Sequence, residues 1–190
     1  MMKKISLITL TLLLVAMSAY ANTLMDKYNS AKKDLAYVEK SSNVSRKSYE
    51  NVAERFYAIY DKNPTHSLAD DSLHYTAQTY YRSYVRFKTR DDLLKALKYL
   101  RLLSVNYDTR LASMAYMQTA DIYLESKDYP SARFTLNKMI QKFPKGEDTP
   151  AAKKKLAAIM SSLLTRKSRP HLQRLSKHQQ HLFYLLICLK

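Results

Sequence analysis

The sequence predicts an all-α protein built from repeated helix pairs. Three observations predict it. The 190 residues contain a single glycine, Gly146, whereas nucleotide-binding sheets, hydrolase elbows and β-sandwiches need several positions of positive φ. Between residues 24 and 159 the apolar residues recur at spacings of three and four, the period of a helix with one buried face. Finally, the segments 49–64, 93–108 and 129–144 align with one another without gaps.

Residues 1–21, MMKKISLITLTLLLVAMSAYA, come first and read as a cleavable secretory signal. Lys3 and Lys4 form its positive start, Ile5 to Met17 its mostly apolar run, and Ala19-Tyr20-Ala21 its small-x-small end. That run is too short to span a bilayer, which takes about 20 residues, so no transmembrane span is expected. No cysteine follows it, which argues against a lipid anchor. The lone Cys188 excludes a disulfide framework and a Cys-rich metal site. The mature chain is expected to begin near Asn22 and to be exported, to the periplasm of a bacterial envelope.

Each aligned segment then reads as the second helix of a pair. Its fourth or fifth residue is small (Val52 and Ala53, Ala96, Ala132), so a neighbouring helix can approach closely. Its eighth and eleventh are large and apolar: Phe56 and Ile59, Leu100 and Leu103, Leu136 and Met139. Its sixteenth breaks the chain, at Pro64, Asp108 and Pro144, because proline offers no N–H and clashes with the preceding turn. A new helix opens after each break, over residues 67–84, 111–126 and 149–164. Ser67 with Asp70 predicts a capping box, and Thr149 before Pro150 another helix start.

The breaks lie 44 and 36 residues apart, close to the tetratricopeptide period of about 34. An insertion at residues 84–91 is expected to lengthen the connection between helices and so the first interval. Tyr129, Ala132, Leu136, Met139 and Pro144 match the second helix of such a repeat. The first helix matches less well, since His74 stands where a small residue is usual. The fold class is therefore a tetratricopeptide-like helical-repeat solenoid of about three helix pairs, spanning residues 22–164.

The runs YNSAKKDLA from Tyr28, YENVAERFYAIYDKNPTHSLADDSLHYTAQ from Tyr49 and DLLKALKYLR from Asp92 point further. Together they resemble the N-terminal repeat region of certain bacterial N-acetylmuramoyl-L-alanine amidases, over roughly residues 24–160. The resemblance implies a role in cell-wall remodelling, with repeats used for attachment or regulation. In that family a separate zinc domain, with His and Glu ligands, is the catalyst. After Ile159 the chain has neither the length nor the glycines for such a domain, so no catalytic residue carries over. The expectation is a repeat module for protein–protein interaction that is not itself an enzyme. Rival readings are an outer-membrane assembly or cell-division scaffold and, from another class, a cationic adsorber of anionic glycans or lipids.

No catalytic, cofactor-binding or metal site is expected. His171, His178 and His181 lie in a stretch without a carboxylate, and a zinc site needs three oriented ligands. His66 and His74 have no nucleophile near them in sequence. Asp70 with Asp71, and Asp91 with Asp92, fall in first helical turns, where carboxylates complement the helix dipole. Tyrosine is abundant, at 16 residues. Tyr49, Tyr99, Tyr107 and Tyr129 are expected to pack helices. Tyr75, Tyr80, Tyr81, Tyr116 and Tyr123 lie on the first helices of pairs, which line the concave side of such solenoids. In the repeat register Asp71, Tyr75, Gln78, Gln118 and Asp121 face that groove. A ring with a hydrogen-bonding tip suits an extended peptide or a glycan. The expected partner is a protein or peptide of the cell envelope, or peptidoglycan or another anionic glycan, and not nucleic acid.

The formal charge of +16 is uneven: residues 22–160 carry +8, and residues 161–190 hold six basic and no acidic side chains. Residues 165–190 are set apart as a basic tail ending in an apolar run at 182–189. Three readings stand for this tail: a short helix added to the last pair, an interfacial segment, or residues read out of frame after Met160. The last is preferred, because a repeat array normally ends in a polar capping helix.

Overall fold

A computed structural model describes residues 23–172, with side chains described as far as residue 163. The expected signal segment at 1–21 and the tail beyond residue 172, with His178, His181 and the apolar run, lie outside the described residues. Within them the chain is all-α. The helices are α1 (residues 23–40), α2 (Arg46–Lys62), α3 (Ala69–Phe87), α4 (Arg90–Asn106), α5 (Arg110–Glu125), α6 (Tyr129–Lys142) and α7 (Thr149–Leu172). No strand occurs among the described residues. The three aligned segments are α2, α4 and α6, and the helices after each break are α3, α5 and α7. The backbone of α7 continues through residues 165–172, into the stretch set apart as tail.

The described residues divide into two compact units that meet inside α5, between Thr119 and Ala120. In the first, Leu24, Tyr28, Ala31, Leu35 and Val38 of α1 form a helical stripe. It is buried in one cluster with Tyr49, Val52, Phe56 and Ile59 of α2. Helix α3 packs against both α2 and α4. Ala53, Ala96, Phe56, Leu73, Leu100 and Leu103 are all fully buried. Each of the larger ones contributes about 1.5–3 kcal/mol by leaving water. In the second unit α6 packs on α7, and Ala132, Leu136, Met139, Ala152 and Ile159 are buried. Gly146 sits in their connection, where a Cβ would come within 3.1 Å of Phe143 Cβ.

Local chemistry sets the helix ends. The Ser45 hydroxyl accepts from the Ser48 amide at 3.2 Å and starts α2. The Asp128 carboxylate accepts from the Ser131 amide at 3.2 Å and starts α6, with Pro130 in its first turn. Asn63, Tyr107 and Phe143 close α2, α4 and α6, each one residue before a predicted break.

Two expectations about α3 need correction. Ser67 does not cap it. The cap position is Leu68, without a side-chain bond, and Ser67 is exposed. Consecutive turns after Asn63 instead bring the His66 ring beneath the chain, and its Nδ1 accepts from the Leu68 amide at 3.1 Å. The insertion does not lengthen the connection either. It lengthens the helix, which runs 19 residues to Phe87 and leaves only Lys88 and Thr89 before α4. The extra turns hold neighbouring elements. Phe87 meets Tyr49 edge-on at 6.0 Å, and the Arg86 guanidinium donates to the Ser41 carbonyl at 3.0 Å and to that of Ser42. Lys88 ends the helix in the left-handed region, at φ 54°, its amide donating to the Tyr84 carbonyl at 2.7 Å.

Asp91 and Asp92 lie in the first turn of α4, as expected. Asp92 has a larger role. Its carboxylate is only 1% exposed and accepts from the Ser83 hydroxyl at 2.8 Å and from Arg46. One small residue deep in the unit thus ties α2, α3 and α4 together.

Candidate functional site

The proposed groove residues of the first unit centre on α3. Asp71, Tyr75 and Gln78 are spaced by four and three residues, so they share one helical face. All three are half-buried. The opposite side of α3 holds Leu73, Thr76, Ala77 and Tyr80 in the interior, which fixes the orientation of the helix.

Tyr75 is the platform of this face. Its ring stacks on Phe56 of α2, with centroids 5.0 Å apart and planes at 17°, and meets Tyr28 of α1 edge-on at 6.0 Å. The Lys32 ammonium lies 5.6 Å from the centroid of the Tyr28 ring and 5.5 Å from that of Tyr75. A cation facing two aromatic rings is held by their quadrupoles. Sequence reasoning missed Lys32 and Tyr28. They stand four apart in α1, a helix that the repeat alignment leaves out.

Gln78 reaches from α3 to α5, where its Nε2 donates to Gln118 Oε1 at 2.6 Å. Two residues assigned to the groove on register alone are therefore in direct contact, 40 positions apart. Each amide keeps further donor or acceptor capacity. That capacity suits the N–H and C=O groups of an extended chain.

The electrostatics are mixed. Burial pushes the Asp71 carboxyl above its ordinary range, and Asp70 adds to this; His74 and Lys32 pull it back. Burial also pushes His74 below its ordinary value, against the pull of Asp71 and Asp70. Its Nδ1 is buried with no hydrogen-bond partner. The Tyr28 hydroxyl is pushed up by burial first and by Asp71 second. The face thus offers an aromatic surface, one cation, two neighbouring carboxylates and an amide pair.

The other tyrosines divide. Tyr49 and Tyr99 are buried packing residues. Tyr107 is half-buried and donates to the Pro64 carbonyl at 2.6 Å. Tyr81, Tyr116, Tyr123 and Tyr129 are half-buried. Tyr80 is a correction: it belongs to the core and not to a groove. It is fully buried, stacks on Tyr99 at 5.7 Å and donates to Glu54 at 2.6 Å.

Asp121 lies in the second unit, where its carboxylate accepts from Lys155. Among the described residues no group of three or more His, Cys, Asp or Glu side chains could hold a metal ion. None of their helices is long and apolar enough to cross a membrane. No protein-family model matches the chain, and no curated protein is detectably similar to it.

Proposed function

We propose that this chain is an exported, tetratricopeptide-like repeat module. It binds an extended segment of an envelope protein along the face made by Tyr75, Gln78 and Gln118. The observation that carries this reading is the Gln78–Gln118 hydrogen bond. It links α3 to α5, which the repeat reading makes the first helices of successive pairs, and a solenoid with a continuous inner surface calls for such a link. The Tyr75 ring beside this pair supplies apolar area with little conformational freedom to lose. The likeness to the repeat region of peptidoglycan amidases supports cell-wall remodelling as the process served, with chemistry supplied by another domain or protein.

Position-specific photo-crosslinking in the envelope tests this. A crosslinkable side chain replacing Gln118 should capture one discrete protein, and the same side chain at Leu94, exposed on α4, should not. Capture of a cell-wall hydrolase would support the amidase connection, and capture of an outer-membrane assembly or division protein the rival scaffold. Equal capture from both positions contradicts the groove. Purified protein incubated with cell-wall sacculi should release no muropeptides. Zinc-stimulated release would overturn the non-catalytic assignment.

A further inference from the structure

Helices α6 and α7 differ in charge from the helices of the first unit. Between them they hold nine Lys and Arg and no Asp or Glu. In α2, α3 and α4 the signs are mixed and the charges pair: Arg46 with Asp92, Lys95 with Glu50, Arg82 with Glu39. In α7 Lys155 pairs with Asp121. Arg133, Lys138, Lys153 and Lys154 are exposed, and among the described residues they pair with no carboxylate. The nearby acids are engaged elsewhere. Asp128 caps α6, and Glu147 and Asp148, in the connection, have interactions of their own.

The same two helices expose apolar side chains. Phe134 is 64% exposed, with the Lys138 ammonium 5.7 Å from its ring centroid. Met160 and Leu163 of α7 are 44% and 37% exposed. Phe134 is not a core residue displaced outward. The core side of α6 is already filled by Ala132, Leu136 and Met139. Unpaired cations beside an exposed aromatic ring match the boundary of an anionic membrane. There lysine and arginine meet phosphates, and the ring enters the edge of the acyl region. A soluble anionic polymer would satisfy the cations and leave Phe134 in water. The sequence that follows, residues 173–190, is also free of acidic residues.

We infer that the α6–α7 pair adsorbs to an anionic lipid surface through Arg133, Phe134 and Lys138 together with Lys153 and Lys154 of α7. This does not depend on the peptide-binding reading of the first unit. Cosedimentation of the full chain tests it, using neutral phosphatidylcholine vesicles and vesicles with about 30 mol% phosphatidylglycerol. Binding should favour the anionic vesicles and weaken as salt rises from about 50 to about 500 mM. Replacing both Arg133 and Lys138 by glutamate should lower the partition coefficient at least about tenfold. Phe134→Ser should weaken binding while leaving the salt dependence in place. Unchanged melting temperatures would show that these variants fold. Equal binding to both vesicle types, or binding indifferent to the α6 variants, overturns the inference. So does absence of lipid binding with heparin retention that survives Phe134→Ser, which would assign the surface to an anionic polymer.

Discussion

Arg46 and Asp92, 46 residues apart in the chain, form a two-pronged ion pair between α2 and α4. Nε donates to Oδ2 at 2.9 Å and a terminal guanidinium nitrogen to Oδ1 at 2.6 Å. A fork on a carboxylate fixes direction as well as distance. With Ser83 also donating to Oδ2, the geometry admits one arrangement of α2, α3 and α4. We expect Asp92→Ala to cost about 1–3 kcal/mol, because it leaves the buried Ser83 hydroxyl without its acceptor. Arg46→Ala should also lower the urea midpoint, since it strands a buried carboxylate. A midpoint unmoved in both variants would remove this tie from the account.

The near absence of glycine leaves lysines in left-handed backbone, Lys88 at φ 54° and Lys127 at φ 60°. Such a conformation crowds Cβ against the backbone. Lys88→Gly should raise stability by about 0.5–1 kcal/mol, read as a higher denaturant midpoint at constant slope. A lower midpoint would show that the contact of Lys88 with the Tyr84 ring outweighs the backbone relief.

Ala132 of α6 is completely buried, and α6 packs on α7. Ala132→Phe should overpack the interior around it and cost about 1–3 kcal/mol, measured as a fall in melting temperature. An unchanged melting temperature would mean that the second unit does not close around this residue.

His74 gives the fold an acid-sensitive element. Its pKa is held below the ordinary 6.5 by burial, so the unfolded chain takes up the proton first as pH falls. Stability from this residue is present above 6.5 and is lost below it, down to the depressed value. Glu50 acts lower on the scale. Lys47 and Lys95 hold its carboxyl down to about 2 from 4.5, so its contribution disappears between those two values as pH falls. Asp71, raised mainly by burial, works against both just above its ordinary value, where deprotonation favours the unfolded chain. Thermal melts across pH should therefore show a first decline beginning near 6.5 that His74→Ala removes. A decline of the same shape in that variant would assign it to other groups.

Much of this architecture was legible in the sequence because it rests on short-range patterns. The spacing of Ala53, Phe56 and Ile59, repeated at Ala96 and Ala132, located three helices, and Pro64 and Pro144 marked where two of them end. Contacts made across the chain were not legible in that way. Nothing local distinguishes Asp92 from Asp91, yet one is buried on Arg46 and the other is exposed. The insertion at 84–91 reads as a loop through its charges, while Arg86 and Phe87 extend the helix because partners on the α1–α2 connection and on α2 receive them. At the candidate site the register put Gln78 and Gln118 on one surface, and the two side chains are hydrogen-bonded to each other. Counting Tyr80 with the tyrosines of groove-lining helices did not reveal its burial, because its stacking on Tyr99 depends on α4, and the register could not see Lys32, which has no counterpart in the aligned segments.

The central claim is that α3 and α5 are joined with positions 78 and 118 in contact. It is tested most directly by placing cysteines there, in a chain whose Cys188 is replaced by serine. A short bis-maleimide should join them within one molecule in native buffer, far faster than in urea, where the ends of the intervening loop seldom meet. Bridging at equal rates in both solvents, or none in native buffer, would contradict the claim and with it the groove.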